Sequence, residues 1–241
     1  MKRERAFTLV ELLVALAITA VLVVILANVV SATLGAWRQG RNRLDTFSNA
    51  RQLIGRIADE ISGAIAEKGR MEFVENASEL KGATDPSPKT AENLFFIAPY
   101  PNSGSGDLCV IMYRLDAVNH RLERRFEDSA SAWGVQDAAD RYNVSGYPDT
   151  TPTKWRPIAD GVMEFEIRSY SQDDLDNNKT PTDSWSSRTV GSATEGKTPR
   201  RVVLRIKVVD DRTLTRLAGN ATQALKENAR EFFAEFSLPS S

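Results

Sequence analysis

A long apolar stretch near the start of the chain places the strongest constraint on its fold. The stretch runs over Leu12–Val30 and is interrupted by Thr19 and Asn28. As a helix from Phe7 to Val30, this part of the chain would extend about 36 Å, which exceeds the roughly 30 Å hydrocarbon core of a bilayer. So large an apolar surface is unfavourable in water, so we expect it in a membrane or against other apolar helices.

A single carboxylate stands at the entrance to this stretch. Glu11 directly precedes Leu12, and the apolar run contains no basic residue that could pair with it. A charged side chain in the hydrocarbon region costs at least about 2.5 kcal/mol. Glu11 is therefore a candidate functional residue whose charged partner must come from elsewhere.

Two ordinary explanations account for part of this pattern. A cleaved secretory signal peptide would explain the basic residues Lys2, Arg3 and Arg5, and "VSA" at 30–32 resembles a small-residue cleavage site. The apolar core is long for a signal peptide, however, and Glu11 stands at its entrance. A plain transmembrane anchor explains the length but gives Glu11 no purpose.

The charges on either side of the stretch do not set its orientation. Arg38, Arg41 and Arg43 follow the span, just as three basic residues precede it. The positive-inside rule needs an excess on one side. The orientation must therefore be inferred from another feature.

The third explanation uses every residue of the segment. The stretch "RAFTLVELLVALAI" resembles the N-terminal processing motif of type IV prepilins and of the pseudopilins of type II secretion. The resemblance implies a leader, Met1–Ala6, that a prepilin peptidase removes before Phe7, and methylation of the new N-terminus at Phe7. It places Glu11 at the fifth mature position, where the carboxylate pairs with the terminal amine of an adjacent subunit. The family usually has Gly before the cut, whereas this chain has Ala6.

The helical pattern continues beyond the apolar stretch. Polar residues, Glu60 among them, alternate with an apolar stripe of period three to four, as expected for an amphipathic helix. Lys68 and Gly69 predict the end of this helix. We therefore predict a transmembrane or filament-core helix over 7–30 and an amphipathic continuation over 31–69. The stripe consists of Phe47, Ala50, Ile54, Ile57, Ile61 and Ala64.

The remainder, residues 70–241, reads as a β-rich domain with long polar loops. Several segments alternate apolar and polar residues, which is typical of antiparallel strands with one face on a core. The predicted strands are Asn93–Pro99, Leu108–Leu115, His120–Phe126, Gly161–Tyr170, Arg201–Asp210 and Phe232–Leu238. The predicted loops are Asn76–Ala91, Asp128–Pro157, Ser171–Pro199 and Asp211–Glu231, the last with some helical pattern.

Together these elements predict an α+β fold. The resemblance implies the pilin-like arrangement, in which a long N-terminal helix packs on a C-terminal antiparallel sheet. In its C-terminal half, the chain is similar to the J-type minor pseudopilins of type II secretion, although its loops differ from the usual lengths. The positions that carry this similarity are Gly161, Val162, Phe165, Tyr170, Trp185, Pro199, Val202 and Val203.

Composition argues against several other functions. The 31 basic and 32 acidic residues nearly balance, so no overall field favours nucleic acid. Cys109 and His120 are the single cysteine and the single histidine, so a zinc site or a thiol–imidazole pair lacks ligands. No nucleophile–base pair is evident either, because Glu164 and Glu166 lie on the wet face of a predicted strand. We expect no enzyme activity and no cofactor.

One loop resembles a calcium site weakly. Asp174, Asp176 and Asn178 alternate as oxygen ligands do in calcium loops. Lys179 replaces the turn glycine, however, and Trp185 stands where the final bidentate glutamate would be. A solvated polar loop is the preferred interpretation, so we expect no metal.

The resemblance implies a structural role. We expect a processed minor pilin-like subunit, held in the bacterial inner membrane by one span with its C-terminal domain on the periplasmic side. Its expected partners are prepilin peptidase and other pilin or pseudopilin subunits, with which it would form a pseudopilus or pilus tip that supports protein secretion. The alternatives are a minor type IV pilin for adhesion or DNA uptake and a plain membrane-anchored binding domain.

Overall fold

A computed structural model gives the structure of the protein and divides the chain into two compact units. It describes residues 8–77, 80, 93–102, 106–128, 144, 154–177, 179, 184–210, 213–215 and 229–238. The first unit is Met1–Asp45 and the second is Thr46–Ser241. Helix α1, Leu9–Ser62, contributes residues to both units.

The first unit consists of the apolar part of α1. Within the described residues, one helical segment is long and apolar enough to cross a membrane, namely Leu9–Arg38, with 30 residues. At 1.5 Å per residue it extends roughly 45 Å. Its large apolar side chains are exposed on all sides of the helix, from Leu9 to Trp37. A helix that is apolar all round requires a membrane or a packed helical environment.

The second unit contains two antiparallel sheets. The five-stranded sheet has the order β1-β2-β3-β4-β5, and the three-stranded sheet has the order β6-β7-β8. A short helix, α2, covers Gln172–Asp176 between β6 and β7. The strands are β1 Val74–Glu75, β2 Asn93–Asn102, β3 Gly106–Asp116, β4 Arg121–Asp128, β5 Arg156–Asp160, β6 Val162–Tyr170, β7 Arg201–Val208 and β8 Arg230–Ser237.

The main core lies between the C-terminal part of α1 and the two sheets. Ile57 and Ile61 of α1 are fully buried in it with Phe96 of β2, Phe165 of β6 and Leu204 of β7. The stripe predicted from the sequence is the face that α1 buries there. At about 25 cal/mol per Å² of apolar area, such burial is the main force that holds α1 on the sheets.

A second core covers the opposite face of the five-stranded sheet. Phe95, Ile97 and Met112 point into it and pack with Trp155 and Val144. Alternate residues of β2 therefore enter different cores, since successive side chains of a strand point to opposite faces. The central residues of β2 and β3 are buried on both faces, which explains the continuous apolar runs Leu94–Ala98 and Leu108–Tyr113.

The predicted α+β, pilin-like layout is confirmed: a long N-terminal helix followed by antiparallel sheets. The predicted strands are confirmed with boundaries shifted by up to three residues. The alternation in β6 and β7 is also confirmed, since the exposure of β7 alternates along its whole length. The sequence did not reveal that the strands form two sheets.

The predicted helix end was wrong. Helix α1 ends at Ser62, and Ile65 N donates to Ile97 O at 2.8 Å, so the chain leaves the helix to pair with β2. Glu67 and Met71 then exchange two backbone hydrogen bonds around a turn in which Gly69 has φ +75°. Gly69 therefore serves this turn and does not terminate the helix.

Three elements were not predicted: α2 lies within a predicted loop, β5 begins inside one, and β1 directly precedes one. β5 begins at Arg156, where the sequence predicted a loop through Pro157, because Pro within a run argues against a strand. β1 has only two residues, too few to show alternation. α2 begins with a capping box in which Ser171 and Asp174 each accept from the other's backbone N–H.

The predicted polar face of α1 also contains one error. Glu60 is only 7% exposed, and its Oε2 accepts hydrogen bonds from the Tyr113 hydroxyl and, at 3.0 Å, from Arg124 Nε. Its Oε1 accepts from Arg56 Nε at 3.1 Å. Burial of Tyr113 and the nearby Glu60 carboxylate both raise the pKa of that hydroxyl, which stays protonated and donates. Glu60 thus joins α1 to β3 and β4.

Candidate processing and assembly segment

The first turn of α1 holds the predicted assembly residue, Glu11. Glu11 Oε2 accepts hydrogen bonds from Thr8 N and from the Thr8 hydroxyl, both at 2.9 Å. Glu11 N in turn donates to Thr8 Oγ1 at 3.3 Å. The two residues form a capping box, which satisfies backbone donors that an isolated helix start leaves unpaired.

The capping box uses only one of the two carboxylate oxygens of Glu11. Both hydrogen bonds from Thr8 reach Oε2, and no described residue bonds to Oε1. An ionised carboxylate can accept about four hydrogen bonds. Glu11 is therefore held in a fixed orientation by its own chain while it keeps an oxygen for an external donor.

Two threonine hydroxyls on the apolar segment are hydrogen-bonded within the helix itself. The Thr19 hydroxyl donates to Ala15 O and the Thr33 hydroxyl to Val29 O, each at 2.8 Å. Such bonds lower the cost of placing a hydroxyl in lipid, because no donor remains unpaired. The interruption by Thr19 is therefore compatible with a membrane span.

A comparison with known families identifies this segment. Residues 1–27 match the family described as the prokaryotic N-terminal methylation motif. The chain carries, at its N-terminus, the methylation motif of type IV pilin-like proteins. The match includes Glu11 and the start of the apolar helix, which are the features that the structure places together. No curated protein matches the chain significantly.

The motif implies the chemistry that acts on this N-terminal segment. Proteins with this motif are processed by a prepilin peptidase and assemble with other pilins, and the apolar helix fits a protein anchored in the inner membrane by one span. The predicted processing residues Ala6 and Phe7 lie outside the described residues. Glu11 lies within them, as the fifth residue after the predicted cut.

The weak calcium candidate has other bonding partners in the structure. Asp174 is the acid of the α2 capping box, and its Oδ2 accepts from Ser171 N at 2.8 Å. Asp176 Oδ1 accepts from Gln172 Nε2 at 2.8 Å. Asn178 lies outside the described residues. Among the residues that the structure describes, no group of three or more His, Cys, Asp or Glu side chains is placed to hold a metal ion.

Lys179, the residue that departs from the calcium pattern, pairs with Asp173. The ammonium donates to Asp173 Oδ2, and this contact lowers the pKa of the Asp173 carboxyl. It also raises the pKa of Lys179. The lysine therefore supplies a positive charge at the place where a calcium loop turns.

The positions that resemble J-type pseudopilins have structural roles. Gly161 adopts φ +73° between β5 and β6, and a Cβ there would lie 2.4 Å from Val209 O. Trp185 is buried and donates from Nε1 to Lys197 O at 3.1 Å. Arg201 stacks over the Tyr170 ring, with 4.5 Å between the guanidinium carbon and the ring centre. The contacts of Gly161 and Arg201 lie at the ends of β6 and β7, and that of Trp185 lies in the connection between these strands.

The single cysteine and the single histidine also have structural positions. Cys109 is a buried free cysteine on β3 that packs in the main core. His120 adopts φ 53° in the turn before β4, and its carbonyl accepts from Val162 N at 2.9 Å. Neither residue lies in a described cluster with catalytic geometry.

The sequence contained a signal for one residue that the prediction omitted. Thr8 and Glu11 are spaced as T-x-x-E before an apolar run, which is the sequence signature of a capping box. Glu11 therefore has an uncharged hydrogen-bonding partner in its own chain, and a charged partner is still expected from elsewhere. Two buried acids, Glu60 and Glu75, had no such signal, since their burial depends on distant strands.

Proposed function

We propose that this chain is a minor pilin-like structural subunit, a pseudopilin, which assembles into a periplasmic filament that supports protein secretion. The observation that carries the proposal is the carboxylate of Glu11, held by Thr8 at the start of an exposed apolar helix. In a lone membrane anchor this carboxylate would cap the helix through Oε2, but Oε1 would have no purpose. In a helix that packs against copies of itself and its relatives, Oε1 can accept from a neighbouring subunit.

In the proposed mechanism, the peptidase cuts between Ala6 and Phe7 and the Phe7 amine becomes methylated. The new amine of one subunit then approaches Glu11 of its neighbour, where Oε1 is open. An ammonium–carboxylate pair in a medium of low dielectric is stabilised far more than in water, provided both groups are hydrogen-bonded. Thr8 supplies the additional hydrogen bonds on the carboxylate side.

The apolar surface of α1 supplies the remaining stabilisation. On leaving the membrane, the side chains from Leu9 to Trp37 exchange lipid for neighbouring helices. Helix association of this kind depends on close packing and on interhelical polar contacts, because lipid and side chains are equally apolar. The Glu11 pair therefore also fixes the register between neighbouring helices.

Within this family, we propose that the chain is a J-type minor pseudopilin. Gly161, Trp185 and Tyr170 support it, because each holds the β6–β7 region in which the resemblance lies. Such a subunit joins other minor subunits at a filament tip, with the C-terminal domain on the periplasmic side. We expect the chain itself to have no catalytic activity, because in the proposed mechanism it is the substrate of the peptidase.

The test compares incorporation of Glu11→Gln, Glu11→Ala and the wild type into filaments. We expect both variants to be cleaved as the wild type is, and to enter the sheared or cross-linked filament fraction roughly tenfold less, because neither can neutralise the amine. Asp59→Asn, an exposed acid on the same helix, serves as the control and should assemble normally. Equal incorporation of Glu11→Gln and the wild type would refute the charge pair.

A further inference from the structure

Strand β8 is an edge strand of the three-stranded sheet. Its backbone pairing with β7 shows which of its N–H and C=O groups point away from the sheet. Leu238 N donates to Arg200 O at 2.9 Å, and the register continues with Arg201 opposite Ser237. In an antiparallel pair, hydrogen-bonded and non-hydrogen-bonded residues alternate. Arg230, Phe232, Ala234 and Phe236 therefore bond to β7, whereas Glu231, Phe233, Glu235 and Ser237 direct their N–H and C=O groups to the outer side.

The two end strands of the five-stranded sheet have protection that β8 lacks. β1 has two residues and is covered by a second segment, since Glu75 N donates to Trp185 O at 2.8 Å. β5 contains Pro157, which removes a donor from its edge. β8 has eight residues without proline, and no described residue pairs with its outer side. A long edge of this kind is a template for another strand.

The two faces of β8 differ in chemistry. Phe232 contacts the Phe47 ring of α1, with 5.6 Å between ring centres, so this face belongs to the core. On the opposite face the exposed fraction of Phe233 is 73%. Glu231 and Glu235 flank it on the same face, with side-chain exposures of 43% and 51%. The exposed side chains along this edge strand, Glu231, Phe233 and Glu235, are therefore acidic, aromatic and acidic in turn.

Charges on this wet face alternate from strand to strand. The side chains of Glu164 and Glu166 on β6 are paired with Lys207 and Arg205 of β7, at 2.6 and 3.2 Å. Arg205 also contacts Glu231 of β8 at 2.6 Å. Arg201 of β7 likewise contacts Glu235 of β8 at 3.2 Å. Apart from Arg168 of β6, which pairs with Glu166 of its own strand, the charged side chains are acidic on β6, basic on β7 and acidic on β8. A fourth strand that continues this order would be basic.

We propose that β8 binds an extended segment of a partner protein as a fourth strand, in which two basic residues flank an apolar residue at alternate positions. The outward N–H and C=O groups of four residues give the affinity of strand addition. The apolar residue would cover Phe233, and the basic residues would face Glu231 and Glu235. Opposite charges directly across a strand pair stabilise it.

A second copy of this chain does not fit the same edge. Antiparallel pairing of two β8 strands centred on Phe233 places Glu231 of each copy opposite Glu235 of the other. Like charges directly opposite each other destabilise a strand pair. The register that aligns Phe233 of both copies is therefore unfavourable for a second copy, and the occupant that we propose is a different protein. This surface is separate from the helix contacts of the proposed function.

The test uses the full chain in detergent micelles and a fluorescent basic peptide, Thr-Lys-Thr-Val-Thr-Lys-Thr. The control is an acidic peptide in which glutamate replaces both lysines. Anisotropy should show binding of the basic peptide to the wild type. In the double variant Glu231→Lys, Glu235→Lys, basic-peptide binding should fall roughly tenfold or more and acidic-peptide binding should appear. Hydrogen exchange should slow at the outward amides of Phe233 and Glu235 when the basic peptide is bound.

A second variant separates backbone pairing from charge. Phe233→Pro removes an outward N–H and leaves the bonds to β7 in place, so we expect the melting temperature to be retained and peptide binding to be lost. Phe233→Thr keeps the N–H and is the matched control, which should still bind. Equal binding of both peptides to the wild type, unchanged exchange at Phe233, or dimer formation through β8 would each overturn the proposal.

Discussion

The hydroxyl of Ser169 on β6 donates a hydrogen bond to the carboxyl of Glu75 on β1, and this contact joins the two sheets. The other carboxyl oxygen of Glu75 accepts from Trp185 N at 3.0 Å. Glu75 is 2% exposed, and within the described residues no basic side chain pairs with it. Burial raises the pKa of Glu75 to about 7, although the hydrogen bonds from Ser169 and Trp185 oppose the increase.

The first prediction concerns the pH dependence of stability. The folded protein binds the Glu75 proton more tightly than the unfolded chain, whose carboxyl has a pKa near 4.5. The contribution of this proton to stability is therefore complete below pH 4.5 and is lost as the pH rises through about 7. We expect the free energy of unfolding to fall by an amount on the order of 3 kcal/mol across this range. Denaturant titrations that follow unfolding of the second unit at several pH values would measure it.

The matched variant is Glu75→Gln, which keeps the shape and removes the titration. Its free energy of unfolding should lack the decline between pH 4.5 and 7 that the wild type shows. Asp59→Asn is an exposed control and should follow the wild type. If Glu75→Gln and the wild type lost stability in parallel, burial would not raise the Glu75 pKa.

The second prediction concerns Glu60, which joins α1 to the five-stranded sheet. Glu60→Ala leaves the Arg124 guanidinium, 12% exposed, without its buried carboxylate at 3.0 Å. Removing one partner of a buried pair costs about 3–5 kcal/mol, and we expect a loss in that range by denaturant titration. Tyr113→Phe removes one hydrogen bond to the same carboxylate and should cost about 1–2 kcal/mol.

Asp59 again provides the comparison, because it is the exposed neighbour of Glu60 on the same helix. Asp59→Ala should change the free energy of unfolding by no more than about 0.5 kcal/mol. A similar effect of Glu60→Ala and Asp59→Ala would show that Glu60 is solvated, as its place on the polar side of the sequence pattern suggested.

The third prediction compares two glycines of nearly equal backbone conformation. Gly161 and Gly69 have φ +73° and +75°. A Cβ at Gly161 would lie 2.4 Å from Val209 O, whereas a Cβ at Gly69 would meet no atom within 4 Å. Gly69→Ala should cost about 1–2 kcal/mol, which is the strain of the left-handed conformation alone. Gly161→Ala should cost several kcal/mol more and lower the melting temperature further; equal losses would contradict the close approach.

Much of the fold was predictable because local patterns and tertiary structure agree. The apolar run and the stripe around Ile57 and Ile61 identify α1, and the alternation in β6 and β7 identifies two strands. The end of α1 was not predictable, because Ile65 pairs with Ile97 of a distant strand. No local pattern reveals such a partner.

The candidate site shows the same division. Glu11 stood out from the sequence because a charge beside an apolar run is unfavourable, and T-x-x-E could also have revealed its contact with Thr8. Glu60 and Glu75 resembled surface residues. Their burial follows from strands that lie more than 50 and more than 90 residues away in sequence, at Tyr113 and Ser169.

The central claim is that this chain is processed as a prepilin. Mass spectrometry of the N-terminus of the membrane-extracted protein, expressed with a prepilin peptidase, tests it most directly. We predict a mature chain that begins at Phe7 and carries one methyl group on its amine, with the Met1–Ala6 leader absent. An intact Met1 in the presence of active peptidase, or a cut near Ala32, would contradict the account.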